Sequence, residues 1–423
     1  MRFSTLNEWL SWQEGLHYKA IDLGLDRCRE VADRMGLLQP GFRVISIAGT
    51  NGKGTSAAML DSIYRNAGYV VGTYTSPHLL HYNERIRING REVTDQMLCE
   101  AFDQVDKARG DISLTYFEFG TLAAFYVFRN EKVQLAILEV GIGGRLDAVN
   151  ILDADVALIC TIALDHVQWL GNTRDLIGLE KAGIMRPGKP AVCSDNEVPG
   201  SIPAYAAEIG ATLFLLGRDF RIERHTTHWD WHSNNSTLSG LPGTGQFNNT
   251  LINNTAGVLM AVELMAEIFP VERHTLPSSL AGVSVPGRFQ IHTGKIPVIL
   301  DVAHNPQAAG MLSRNLAAHT CSGRTHVIIG MLDDKDHRGV LEALAMAVDH
   351  WYVVSLTQNR GTDGQVLAGI LEMIGNANVA GVFTSVDSAL DTARERASIG
   401  DRVIVTGSFL TVGAAIKKLN SED

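Results

Sequence analysis

Cysteine is scarce: five in 423 residues, at positions 28, 99, 160, 193 and 321, an odd count with no C-x-x-C pair. That argues against a disulfide framework and a cysteine-rich zinc site, and for a reducing compartment. Positive charge is also short, with 36 Lys and Arg against 46 Asp and Glu, a net charge of -10. Such a chain has no general electrostatic hold on nucleic acid, so any anion must be held by local groups. Long apolar runs are missing. The most apolar stretches, such as VALICTIAL over Val156–Leu164, fall far short of the ~20 residues that cross a bilayer. The opening MRFSTLNEWLSWQEG carries acidic residues where a secretory leader is apolar. The expectation is a cytoplasmic protein without nucleic-acid or membrane partners. Repeats and low-complexity tracts are absent, and the length suits two domains.

What the chain has in quantity is alternation. FRVISIAG, QLAILEVG, DVALICTIA, IPVILDVA, THVIIGML, HWYVVSL and DRVIVTGS read as buried strands. Their near-continuous apolar character suits parallel sheet covered on both faces. Helical patterns such as TSAAMLDSIYRNAG lie between them, which predicts a doubly wound α/β protein with ligands at the carboxyl ends of strands. The rhythm breaks at about 217–250. There HTTHWDWHSNNSTLSGLPGTGQ is polar, aromatic and Gly-rich, and reads as a small β-hairpin region on the first domain. Its His225, His228 and His232 read as exposed hairpin histidines, because no Cys or carboxylate pattern supports a metal site. Pro286 and Gly287 in VSVPGRFQ punctuate the chain before a new βα series. The predicted domains are therefore 1–286, P-loop-like with a small β subregion, and 287–423, Rossmann-like α/β.

One stretch carries chemistry. SIAGTNGKGTSAAML places Gly49, Gly52 and Gly54 within six residues, between a strand and a helix. Unpaired N–H groups and the helix dipole make that junction an anion site. Gly52 and Gly54 let the backbone curl round a phosphate, Lys53 supplies a full charge for the β/γ-phosphates, and the Thr55 hydroxyl, with Ser56 beside it, can reach phosphate or Mg²⁺. The spacing departs from G-x-x-x-x-G-K-[ST]: Ile47 stands at the first glycine position and Gly54 follows the lysine.

GTNGKGT is accompanied, in order, by DLGLDR before it and by TSPHL, LTYFEFGTLAAF, EVGIGGRLDAVN, ALDH, EKAGI, PGRFQ, DVAHNP and GSF after it. With these the chain resembles the ATP-dependent Mur ligase superfamily, and within it the bacterial bifunctional dihydrofolate synthase/folylpolyglutamate synthases. The resemblance spans nearly the whole length. It implies an amide-forming ligase using ATP and two Mg²⁺ ions, with dihydropteroate, folates and L-glutamate as substrates, acting as a monomer. Glu139, at the carboxyl end of a strand, His166 of ALDH and Ser76 of TSPHL are implied Mg²⁺ ligands. Lys181 of EKAGI, which spacing alone makes a surface helix lysine, is implied to be carbamylated by CO₂ and to hold the second ion. The implied nucleotide contacts are Arg288, Asp301 and Asn254, with Asn253 as rival to the last. His304 is implied to lie near the reacting end, with helix capping as the plainer reading. On the substrate side the resemblance implies Asp22, Leu23, Gly24 and Leu25; Thr115, Tyr116, Phe117 and Glu118; and Leu146, Asp147 and Ala148. Tyr116 and Phe117 can wall a flat ring and Asp22 can accept pterin N–H groups, although aromatic core packing explains the same residues.

The implied reaction is carboxylate activation by phosphoryl transfer, then attack by the amine of glutamate. Three rival readings are a monofunctional folylpolyglutamate synthase, another Mur-type amino-acid ligase and a nucleotide switch without ligase chemistry. Only 48 residues precede Gly49, few for the extra domain that cell-wall ligases carry there. No N-K-x-D guanine-reading motif is present.

Overall fold

The computed structural model describes residues 1–242, 249–358, 360–375 and 377–422. The chain divides into two compact units. The first is built from Met1–Ala163, Gln168–Gly243 and Leu251–Val283; the second is built mainly from Ser284–Asp423 and takes in Leu164–Val167.

The first unit holds an eight-stranded sheet. Its strands are β1 (Arg43–Ala48), β2 (Val71–Tyr74), β3 (Ile86–Ile88), β4 (Arg91–Glu92), β5 (Leu135–Glu139), β6 (Val156–Ile159), β7 (Pro190–Cys193) and β8 (Thr212–Leu215). Their spatial order is β4-β3-β2-β5-β1-β6-β7-β8. The six strands from β2 to β8 run parallel, whereas β3 and β4 add antiparallel edge pairs. β5 and β6 are buried along their whole length, as apolar strands sandwiched by helices must be. Beside them stands an aromatic cluster in which Trp9, Trp12, Phe102 and Phe119 meet edge-on or tilted.

The expected hairpin region is a three-stranded antiparallel sheet, β9 (Phe220–Arg224), β10 (His228–Ser233) and β11 (Thr237–Pro242), in the order β11-β10-β9. The rest of that stretch, 243–248, lies outside the described residues. Trp229 and Trp231 are buried. Trp231 Nε1 donates to the Ala256 carbonyl, 3.1 Å away, in the helix Asn249–Leu264.

The second unit has a six-stranded sheet in the order β12-β13-β17-β14-β15-β16, with β12 (Gln290–His292), β13 (Val298–Leu300), β14 (Thr325–Ile329), β15 (His350–Val354), β16 (Val379–Phe383) and β17 (Arg402–Thr406). All pairs are parallel except β12–β13. Among the described residues no helix is long and apolar enough to cross a membrane.

Candidate active site

The glycine-rich loop leaves the carboxyl end of β1 and opens the helix Lys53–Asn66. Thr50 N donates to Thr161 O at 2.7 Å, and the Thr50 hydroxyl donates to Ala163 O at 3.0 Å, so the loop is tied to the segment after β6. Gly52 has φ +90°, the left-handed region, and a Cβ there would overlap the Asn254 amide. Glycine is required twice over, by conformation and by the approach of Asn254. Asn254 is buried, and its Oδ1 accepts from Ser194 Oγ at 3.2 Å. Of the two candidate asparagines, it is Asn254 whose side chain meets the loop.

Lys53 folds back over the loop, its Nζ 3.0 Å from Gly49 O and 3.4 Å from Thr50 O. Lys181, on the helix Arg174–Ala182, is 4 % exposed, and its Nζ donates to the same Gly49 carbonyl at 3.0 Å. The surface location that spacing alone gives Lys181 is thereby corrected. Gly144 is the reason: a Cβ on it would come 2.7 Å from Glu180 O and 3.1 Å from Lys181 Cα, so only glycine lets the helix press its lysine inward. Glu139 ends β5 and is 5 % exposed. Its Oε2 accepts from Ser76 N at 3.1 Å, and a Cβ on Gly54 would lie 3.6 Å from the same oxygen. Lys53, Gly54, Ser76, Glu139 and Lys181 thus surround one loop. Thr55 stands in the first helical turn, half-buried. Ser56 turns inward, with its Oγ 3.3 Å from Cys160 Sγ, which corrects its reading as a phosphate or metal contact.

The substrate-side segments converge although about a hundred residues separate them. Arg27 joins two of them: Nη1 reaches Asp22 Oδ2 at 2.6 Å and Nη2 reaches Glu118 Oε1 at 3.1 Å. Gly24 N donates to Leu146 O at 3.3 Å. A Cβ on Gly141 would meet both the Phe117 ring, at 2.8 Å, and Asp147 Oδ2, at 3.2 Å. Thr115 and Glu118 form a capping box, Thr115 N donating to Glu118 Oε2 at 2.8 Å and Glu118 N to Thr115 Oγ1 at 3.2 Å. Tyr116 packs edge-on to Tyr82. Leu23 and Leu25 are half-buried beside them and Ala148 is buried. The Lys19 hydrogen bond and the Arg27 charge hold the Asp22 carboxyl below its usual range. Burial pushes the Asp147 carboxyl up to about 6, against the pull of backbone N–H groups at Ile142 and Val149.

The second unit carries a charged cluster. Asp165 is its hub: Oδ1 accepts from Lys335 Nζ at 2.7 Å, and Oδ2 accepts from Asn305 Nδ2 at 3.1 Å and faces His304 Nε2 at 3.5 Å. Burial alone would raise the Asp165 carboxyl, but the His304 hydrogen bond and the charges of His166 and Lys335 outweigh it and hold the group far below its usual range. His166 sits at φ +51°, its Nε2 3.5 Å from Lys335 Nζ. His304 Nδ1 lies 2.8 Å from Val302 O, and the cap of the helix Pro306–Ala318 is Asn305, so the capping reading of His304 is corrected. Asp301 accepts from Phe289 N and Ala303 N, both at 2.9 Å. Burial raises its carboxyl, and Arg288 opposes that. The Arg288 guanidinium stands 5.2 Å over the Phe409 ring. Sequence reasoning missed Arg27, Asp165 and Lys335. Arg27 lies in DLGLDR, Asp165 in ALDH and Lys335 in MLDDKD, Met331–Asp336, and no spacing rule ties them to partners.

Two family models match the chain: the Mur ligase middle domain over residues 47–251 and the Mur ligase glutamate ligase domain over 287–409. The dihydrofolate synthase/folylpolyglutamate synthase of Escherichia coli K12 is 43% identical over 418 residues, covering 99% of this chain and 96% of its own. That of Haemophilus influenzae is 40% identical, covering 97% and 96%. The structure of E. coli FolC with DHPP and ADP superposes with a TM-score of 0.93 over 99% of this chain and 98% of that one, at 43% identity. A bifunctional folylpolyglutamate synthase/dihydrofolate synthase with Mn, AMPPNP and L-glutamate bound gives 0.91 over 99% and 98%, also at 43% identity. With this identity sustained from end to end, the chain belongs to the Mur ligase family and, within it, to the dihydrofolate synthase/folylpolyglutamate synthases.

Proposed function

We propose that the chain is an ATP-dependent ligase that joins L-glutamate in amide linkage to dihydropteroate and to tetrahydrofolate. The observation that carries this reading is the loop at Gly49, where two lysine side chains and a buried carboxylate meet, in a chain similar throughout to FolC bound to ADP. In the first half-reaction a carboxylate oxygen of the pterin substrate bonds to the γ-phosphorus of ATP, and the bond to ADP breaks. In the second, the glutamate amine bonds to the acyl carbon, the carbon–oxygen bond to phosphate breaks, and the amine gives up a proton.

Lys53 holds the β/γ-phosphates, with Gly52, Gly54 and Thr55 offering N–H and hydroxyl donors at the helix start. Asn254 lines the nucleotide side of the loop, and we assign Arg288 and Asp301 as nucleotide-contacting residues of the glutamate ligase part, for which we take 287–423, with 1–286 binding ATP and pterin. Asp22–Leu25, Thr115–Glu118 and Leu146–Ala148 hold the pterin. His304, fixed by Val302 O and Asp165, serves the reacting end.

The buried carboxylate of Glu139 and the Ser76 hydroxyl are hard oxygen donors suited to Mg²⁺. With His166 and Lys181 they are the residues we assign to hold it. When bound, the ions neutralise charge shared among donor, acceptor and leaving group. Lys181 is assigned as a carbamate. Its remaining N–H could keep the bond to Gly49 O, while the new carboxylate would replace a cation beside Lys53 with an anion.

The test is product analysis. Full-length protein with MgATP, glutamate and either dihydropteroate or tetrahydrofolate should release ADP only when all substrates are present, with a mass gain of one or more glutamyl units on both pterins. A gain on tetrahydrofolate alone would make it monofunctional, and ADP release without pterin would sink the ligase reading. Lys181→Ala should lose at least about 10²-fold in kcat, and wild type should respond to added bicarbonate. Full activity in the variant with no bicarbonate response rules out the carbamate.

Asp147 gives the pH dependence. We assign its carboxylate, among the residues that hold the pterin, as an acceptor for N–H groups; an ionised carboxylate accepts more strongly than a protonated one, so KM for dihydropteroate should rise as pH falls through about 6. Asp147→Asn should abolish that inflection. The same raised value makes the folded state the better proton binder between 3.8 and about 6, so this group's contribution to stability grows as pH falls across that window. A wild-type KM flat from pH 5 to 8 would remove Asp147 from substrate contact.

A further inference from the structure

The histidines of the hairpin region read from sequence as exposed, because no Cys or carboxylate pattern supports a metal site. The antiparallel register supplies the carboxylate. β9 and β10 are joined through Thr226 and Thr227, with His225 N donating to His228 O at 2.9 Å, so His225 and His228 face each other across the turn. Their rings stack with centroids 4.4 Å apart. Alternation places Asp230 on the same face as His228, and Asp230 Oδ2 lies 3.4 Å from His225 Nε2. Donor atoms of all three residues lie within 4.8 Å of one another. Trp229 and Trp231, both 2 % exposed, occupy the opposite face and pin the sheet to the first unit, so the three donors point to solvent on a fixed scaffold.

We infer that His225, His228 and Asp230 form a binding site for a divalent transition-metal ion of the Zn²⁺, Ni²⁺ or Cu²⁺ type, separate from the Mg²⁺ ligands assigned to the ligase. Two imidazoles and one carboxylate are the donor set such ions prefer, whereas Mg²⁺ is held mainly by oxygen. Neutral imidazole lone pairs and an ionised carboxylate would occupy three positions and water the rest. The ligands are also held in place. Asp230 Oδ1 accepts from Gly240 N at 2.8 Å, where the β10–β11 register shifts, and the Thr227 hydroxyl lies 3.3 Å from His228 Nδ1. The Gly240 N–H keeps the Asp230 carboxyl below its usual range, so it is ionised at neutral pH. The next pair along the sheet, His232 Nε2 and Glu223 Oε2, is 3.4 Å apart and engaged with itself, leaving three ligands at the tip. The bound ion clips β9 to β10 across the turn and, by binding the folded state preferentially, raises its stability.

The experiment uses tag-free, full-length protein stripped with chelator. Zn²⁺ titrated by calorimetry at pH 7.5 should bind with one more ion per chain in wild type than in the His225→Ala/His228→Ala double variant. Each single alanine variant should weaken that site at least tenfold, and His232→Ala should leave it within twofold. Cu²⁺ electron paramagnetic resonance should show hyperfine splitting from two nitrogens in wild type and from one in each single variant. Equal stoichiometry in the double variant, equal weakening by His232→Ala, or no second nitrogen would each overturn the site. These side chains are at the solvent face and outside the assigned ligase machinery. Circular dichroism and glutamate-ligating activity in MgATP should therefore match wild type in every variant.

Discussion

Replacing Lys53 with methionine is expected to lower kcat/KM for both dihydropteroate and tetrahydrofolate by about 10²–10³-fold, the usual loss when one preorganised donor to developing phosphoryl charge is removed. Methionine keeps the length and apolar stem of lysine, so the loss is of charge and hydrogen bonding. The fold should not suffer. Lys53 Nζ bonds to the loop carbonyls of Gly49 and Thr50, and Lys181 Nζ approaches the same Gly49 oxygen. Each nitrogen is 3.0 Å from that oxygen, so the two are at most about 6 Å apart. In the uncarbamylated protein the two ammonium groups at that distance repel by on the order of 3 kcal/mol at an effective dielectric of about 20. A polyphosphate relieves the repulsion on binding, and deleting one cation relieves it as well. In bicarbonate-free buffer the melting temperature without nucleotide should therefore hold or rise slightly, while its upward shift with MgATP should shrink. A variant that keeps kcat/KM within threefold of wild type would remove Lys53 from phosphate contact, and a collapse in melting temperature would mean the lysine is structural. Steady-state kinetics and thermal unfolding with and without MgATP separate these outcomes.

The glycine-rich loop was legible because its requirements are local. A positive φ at Gly52 and a helix beginning at Lys53 leave their mark within a few consecutive residues. The parallel core strands were legible for the same reason, since continuous apolar runs imply burial on both faces. β3 and β4 were not, because three- and two-residue strands at a sheet edge carry no period to read. The inward turn of Lys181 was hidden because its cause, Gly144, lies in another segment and acts by allowing close approach. Arg27 was hidden for a similar reason: its partner Glu118 is 91 positions away. The assignment of Leu164–Val167 to the second unit is a property of contacts, and composition around those residues does not change. Nor did the sequence offer a way to pair His225 with His228 and Asp230, since that pairing depends on the register of β9 against β10.

Asp165→Asn is expected to destabilise the second unit by about 3–5 kcal/mol, the cost of removing one partner from a buried charge pair. The side chain of Asp165 is 7% exposed and that of Lys335 5%. Asparagine keeps the shape, but its single amide oxygen can replace only one of the two carboxylate oxygens that accept from Lys335 and Asn305, and it leaves the ammonium with Asp334, 3.9 Å away, as its remaining counter-charge. For a unit of this size the shift in melting temperature should be roughly 10–20 °C, read on the transition assigned to that unit. The pH dependence gives the sign. The folded-state carboxyl is held far below its usual 3.8, so its contribution is fully present above that value and fades as pH falls below it. Wild type and variant should therefore differ most above about pH 5 and converge in acid. Lys335→Met tests the same pair from the other side. If the Asp165–Lys335 bond is the main term, the double variant should be less destabilised than the sum of the two singles, because neither charge is then left alone. Strict additivity would show that His304, His166 and Asn305, rather than Lys335, carry the compensation for Asp165. Because Asp165 also orients His304, Asp165→Asn should lower kcat even at temperatures where the variant is fully folded. Unimpaired turnover there would reduce the cluster to a structural brace.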